Sequence, residues 1–175
     1  MEPLNPDLVA ELRKHVLNMR SIGFAVCFAA PALYLFLLIQ TAFHGNYHPL
    51  LAGFHGVLWG DLRIIILSSV GLAILAAGPM ISAGFWSRAN KATAVSDLFA
   101  HLRTGHFIHC AMLESVAIFG LVLGFTVGQA AGPLCLVMIL VPPVGYLLLV
   151  PGARSWMRLV SLRAQALPGG RNGAP

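Results

Sequence analysis

Among the 175 residues, Glu114 has the setting with most chemistry to offer. It is the one acidic residue inside an otherwise apolar run, 107–128. A carboxylate left charged in hydrocarbon costs ~2.5 kcal/mol or more, so it faces protein or water or carries a proton, and it is a functional candidate by default. At 100° per residue, His106, Cys110 and Glu114 form one stripe at successive i+4 positions, with His109 flanking it. The same side continues into Gly120, Gly124 and Gly128, a doubled small-residue seam on which another helix backbone can pack closely. Two readings follow. Glu114 either hydrogen-bonds a neighbouring helix or snorkels to the headgroups, or it binds a proton or ion with help from His106 and His109.

The remaining histidines form two groups. His15 and His101 lie near the same boundary as His106 and His109, whereas His44, His48 and His55 share a polar segment. Facing imidazoles can hold a b-type haem, with His15 and His106 as the pair, and imidazole also suits copper or zinc. No spacing matches a closed site such as C-x-x-C or H-E-x-x-H, so a metal is left unassigned and no cofactor is expected. There is no G-x-S-x-G and no phosphate loop, so an enzyme is not expected. Cys27, Cys110 and Cys135 all fall in apolar runs, as small packing residues do, and their odd number argues against a disulfide framework.

These side chains need helices in a bilayer to hold them. Hydrophobic residues make up 58% of the chain and charged ones 10%, with a mean hydropathy of +0.81, too little charge to cover a soluble domain. Four apolar stretches run over 21–43, 64–86, 107–128 and 134–150, against ~20 residues needed to cross the hydrocarbon layer. The fourth is short and holds Pro142 and Pro143. The first apolar run is too long for the core of a signal peptide and is expected to be retained. Arg13, Lys14, Arg20, Arg88, Lys91, Arg103, Arg154, Arg158, Arg163 and Arg171 fall on one side of these spans and only Arg63 on the other. Basic residues stay in the cytoplasm, so both termini are expected inside, in a bacterial inner membrane. The net charge of +5 is then a topology signal and does not indicate nucleic-acid binding.

The flanking segments complete the expectation. Asn5-Pro6 opens an amphipathic helix with Leu8, Leu12 and Val16 on one face, lying on the cytoplasmic surface. Pro31 is expected to kink the first span. Tyr47 and Trp59 are placed as interfacial anchors. Ser69, Ala73 and Ala77 make a small-residue seam on the second span. Trp156, Leu159 and Val160 with Arg154, Arg158 and Arg163 suggest a basic interfacial helix. Residues 1–167 read as a single four-span domain, and the Gly/Pro-rich tail 168–175 as disordered.

Asp7-Leu8-Val9-Ala10-Glu11-Leu12-Arg13 matches Asp97-Leu98-Phe99-Ala100-His101-Leu102-Arg103 at five of seven positions, each ahead of a span. Two helical hairpins in tandem, both starting inside, would be parallel repeats about the membrane normal. The run Glu114-Ser115-Val116-Ala117-Ile118-Phe119-Gly120-Leu121-Val122-Leu123-Gly124-Phe125 resembles the carboxylate-bearing helix of rotary-ATPase proteolipid (c-type) subunits, and tandem hairpins resemble the doubled proteolipids. That resemblance implies Glu114 as a proton-binding carboxylate.

The expected fold is all-α, a four-helix transmembrane bundle of two tandem hairpins with amphipathic cytoplasmic helices at both ends. The expected function is a non-enzymatic subunit or assembly partner in a membrane complex, embedded in the lipid bilayer and oligomeric through its small-residue seams. The alternatives are a proteolipid-like proton or ion handler using Glu114 and, third, a b-type haem redox protein. Reporter fusions at Pro49 and Lys91 should read outside and inside respectively; the same side for both would end the four-span topology.

Overall fold

The computed structural model describes residues 6–44, 59–131, 133–150 and 153–167. Helix α1 (Pro6–Phe24) passes through one π-helical turn (Ala25–Ala29) into α2 (Ala30–His44). Then follow α3 (Leu62–Asn90), α4 (Val95–Thr126), a short 3-10 turn (Gly128–Ala131), α5 (Leu134–Leu149) and α6 (Ala153–Gln165). The described residues are helical with no strand. Three helical runs, Val9–Thr41, α3 and α4, are long and apolar enough to cross a membrane, and the chain is accordingly a multi-pass, all-α membrane protein. The fourth apolar stretch forms a helix of 16 residues, ~24 Å long at 1.5 Å per residue. That is short of a hydrocarbon layer of ~30 Å. Asn5, Tyr47, His48, Pro49, His55 and the tail 168–175 lie outside the described residues.

The amphipathic N-terminal helix is not a separate surface element. It has the expected faces, with Leu12, Val16 and Met19 buried and Arg13 and Lys14 exposed, but it runs without a break into the first span. Pro31 is absorbed without a break in the helix. The Ala30 N–H reaches back five residues to the Ala25 carbonyl, and the widened turn gives room where a proline ring meets the carbonyl four residues behind it.

The C-terminal helix also differs from expectation. Trp156 and Val160 of α6 are 2% exposed and pack with Leu12, Val16, Met19, Leu98 and Leu102. The apolar face of α6 is closed by protein, leaving Arg154 and Arg158 exposed.

Helix α4 is the hub, packing against α3 and α5 along their lengths and against α1 and α2 as well. Its glycines serve three different purposes. A Cβ on Gly120 would stand 2.6 Å from the Cys135 carbonyl oxygen of α5, and one on Gly124 would stand 2.5 Å from a Leu38 methyl of α2. Gly128 lies beyond α4, where its φ of 66° ends the helix, a conformation open to glycine without a Cβ clash. The expected single seam is therefore split between two partners and a stop. On α3 the buried face is Ile64, Gly71, Gly78 and Ser82, while Ser69 and Ala73 of the expected seam point outward.

One polar knot ties α3 to α4 at the end away from α6. Asp61 caps α3 by accepting the Arg63 backbone N–H at 2.9 Å, and it also takes Arg63 Nε at 3.1 Å and Nη2 at 2.7 Å. Arg63 Nη1 donates to the Thr126 carbonyl at 2.8 Å, at the C-terminal end of α4 where a cation is favoured. The Arg63 guanidinium holds the Asp61 carboxyl below the usual carboxylate range. A carboxyl depressed in the folded state stabilises above its unfolded pKa, and that contribution is lost as pH falls through the folded one. Asp61→Asn should keep the cap and lose the ion pair. Its melting temperature in detergent should fall below wild type at neutral pH, and the gap should close as pH drops below the carboxylate range.

Candidate functional site

The inner face of α4 carries a column of polar groups. His106 is 5% exposed, His109 7% and Cys110 2%, all from the turns after Gly105. His106 Nε2 lies 3.1 Å from the Met19 carbonyl of α1. A carbonyl only accepts, so Nε2 carries the proton and the tautomer is fixed. The contact depends on Gly23, because a Cβ there would stand 2.5 Å from Nε2 and 2.8 Å from the Tyr146 ring. From α5, the Tyr146 hydroxyl donates to the neighbouring Arg20 carbonyl at 3.1 Å. The His106 ring meets Tyr146 at 6.2 Å and Trp156 at 6.1 Å, both edge to face, while Trp156 lies 4.7 Å from Trp86.

One turn further along α4, Cys110 Sγ lies 3.8 Å from His106 Nε2. Cys110 shares a buried cluster with Cys27 of the π-helical turn, Leu113 and Tyr146, and the two thiols face each other. The next turn brings Glu114. Its side chain is half-buried, yet both carboxyl oxygens are hidden without a hydrogen-bond partner. The Tyr34 hydroxyl of α2 is the polar group beside the carboxyl, placed outside good hydrogen-bond geometry to either oxygen. Beyond Glu114 the interior is apolar, with Leu38, Ile64, Val116, Leu123 and Ile139 packed together. Glu114 sits eleven residues from Arg103 and twelve from Thr126, ~16 and ~18 Å along the axis. It lies about midway between those two residues, with His106, His109 and Cys110 on one side and a largely apolar cluster on the other.

The other candidates do not converge here. His15 lies 3.7 Å from Glu11, and its ring is tilted against Phe99 at 4.8 Å. Among the described residues no group of three or more His, Cys, Asp or Glu is placed to hold a metal ion. His48 and His55 lie outside the described residues, and Trp59 is exposed as an anchor would be. Sequence reasoning did not place Cys27, Tyr34, Tyr146 and Trp156 at this site. Tyr34 and Tyr146 were the available signal, since a phenol inside a span needs a polar partner.

No family model, curated protein or solved structure matches the chain.

The close approach of α1 to His106 can be tested with paired glycine substitutions. Gly23→Ala should destabilise the protein by about 1–3 kcal/mol, because neither the helix backbone nor a pinned imidazole yields readily. Gly84→Ala, where a Cβ meets nothing within 4 Å, should be neutral or raise the melting temperature. Equal effects in a thermal melt would mean that the Gly23 contact is not tight.

Proposed function

We propose that the protein is a non-enzymatic subunit of a membrane complex that binds a proton at Glu114. The observation that carries this reading is a carboxyl group within an apolar helix, with both oxygens buried and no well-formed hydrogen bond. Charged and unpaired, such a group is costly in hydrocarbon; the neutral acid, or the acid closed by a partner subunit, is not. The polar column stops at Glu114, so the group is reached from one side and faces an apolar plug on the other. A binding residue that loads and unloads, as in the proteolipids that residues 114–125 resemble, fits that asymmetry.

In this reading the four apolar helices form a transmembrane bundle, with the short α5 crossing where the bilayer thins locally. The sequence has ten of its eleven basic residues on one side of the apolar stretches, which supports termini in the cytoplasm and an inner membrane of the bacterial type. Duplication of a hairpin is supported by the match of 7–13 with 97–103, whose equivalent residues Leu12 and Leu102 are buried in one cluster. Ser69 and Ala73, facing outward on α3, offer a close-packing face to another copy or subunit. A purely structural assembly role is the second reading. It is favoured by the fact that this outer face and the exposed apolar side chains of α3 and α5 are what partners would cover.

Hydrophobic carbodiimides modify neutral buried acids, which separates the two readings. Glu114 should be labelled at neutral pH to near stoichiometry, while Glu2, Asp7, Glu11, Asp61 and Asp97 stay largely unmodified. Glu114→Gln should fold, assemble and abolish labelling. No labelling of the wild type, together with a fully functional Gln variant, would leave only the structural role.

A further inference from the structure

Beneath α6, at the end of the bundle nearest the basic residues, lies a cavity of about 40 Å³. Ser82 and Trp86 of α3, His106 and His109 of α4, Val150 and Trp156 form its walls. Two of these side chains are more than nine-tenths buried and carry polar atoms with no well-formed hydrogen bond to protein: both ring nitrogens of His109, which lies beside the Gly78 backbone, and the indole Nε1 of Trp156. Buried polar groups are hydrogen-bonded as a rule, and an exception needs a cause. A cavity of this size has room for one or two waters, which need two to four polar partners each. The walls provide them. Trp156 Nε1 donates, His109 donates from one nitrogen and accepts at the other, and the Ser82 hydroxyl, which donates to the Pro79 carbonyl at 3.0 Å, keeps its lone pairs free to accept.

We infer that this cavity is a hydrated port through which protons reach Glu114 from the cytoplasmic side, with His109 as the relay and Trp156 as the lid. The inference rests on the proton-binding reading of Glu114. His106 is not the relay, because its Nε2–H is committed to the Met19 carbonyl. His109 lies beside the Gly78 backbone without a well-formed hydrogen bond at either nitrogen, so it takes a proton from water at one and releases one from the other, with no net change in charge. Cys110, next to His109 in α4, leads from the cavity wall into the buried cluster that it shares with Cys27. The thiols of Cys110 and Cys27 then span the last turn before Glu114. Trp156 closes the port from α6, held against Trp86 and edge-on to His106.

Infrared hydrogen–deuterium exchange of the full chain in liposomes tests the port. The carbonyl stretch of a protonated carboxylic acid that disappears in Glu114→Gln reports on Glu114 alone, and its shift on flowing D₂O gives an exchange rate. Both His109→Leu, which dries the cavity, and His109→Gln, which keeps its polarity but cannot relay, should slow that rate by about tenfold or more. His101→Gln, outside the cavity, should leave it unchanged. If no band disappears in Glu114→Gln, the proton-binding reading of Glu114 fails. If the band is present and exchanges at the wild-type rate in the His109 variants, the port is overturned and the Glu114 reading stands. Should His109→Leu melt early, His109→Gln decides.

Discussion

Polar groups withdrawn from water need partners inside the protein, and here that pairing converges on two adjacent carbonyls of the first helix. Met19 takes His106 from α4, and Arg20 takes Tyr146 from α5. Each carbonyl has a second lone pair beyond its helical bond, so both contacts form without opening the α1 ladder. Three helices are thereby held at one level, and Gly23 lets them meet at backbone distance. The packing of Trp156 on His106, the cavity above it and the thiol pair below it all take their positions from this level. Breaking the level would leave two buried polar rings without partners in an apolar setting, which is more costly than losing a comparable apolar contact.

On either side of that level the interior changes character. Toward α6 the helices enclose a mixed aromatic cluster of Trp86, Phe99 and Trp156 with Leu12 and Leu102. Away from it they close over Leu38, Ile64, Leu123 and Ile139. Helix α4 runs through both regions and contributes to every contact that matters for Glu114, while α3 and α5 turn large apolar side chains outward. The helices expose Leu72, Met80, Leu147 and Leu148 at 68, 77, 69 and 78%, surface that only lipid or another apolar face covers at no cost. This division explains why α4 is richer in buried positions than its neighbours, and why its sequence carries the ionisable groups.

How much of this was legible follows from what local pattern encodes. The positions of the apolar helices, and the common face of His106, Cys110 and Glu114, come from hydropathy and a four-residue spacing, which the sequence displays directly. Gly120 and Gly124 were readable as close-packing positions but not their partners, since spacing says which side of a helix a residue occupies and nothing about which helix meets it. Trp156 and Val160 look alike whether their face meets lipid or protein, so the docking of α6 was illegible. Gly128 was read as one more member of a periodic series. Its backbone angle ends α4, and a series of glycines does not announce which member will do so.

The π-helical turn at Ala25–Ala29 has a consequence for the register of the first span. Met19, Gly23, Cys27 and Pro31 are all buried and follow one another at intervals of four, a pattern that would drift ~40° per step around an ordinary α-helix. The wide turn takes up that drift and keeps all four on the side facing α4. Downstream, Tyr34 and Leu38 inherit the corrected phase, and Leu38 meets Gly124 because of it. The first span thus behaves as two screws joined by one extra residue. Removing one residue from the joint would close the wide turn into ordinary helix and leave the two halves in phase. Removing one from the regular helix beyond it, between the joint and Tyr34, would instead turn the outer half by ~100° and swing Tyr34 away from Glu114. The joint is thus the one place in the first span where a residue can be lost without moving Tyr34 or Leu38 around the helix.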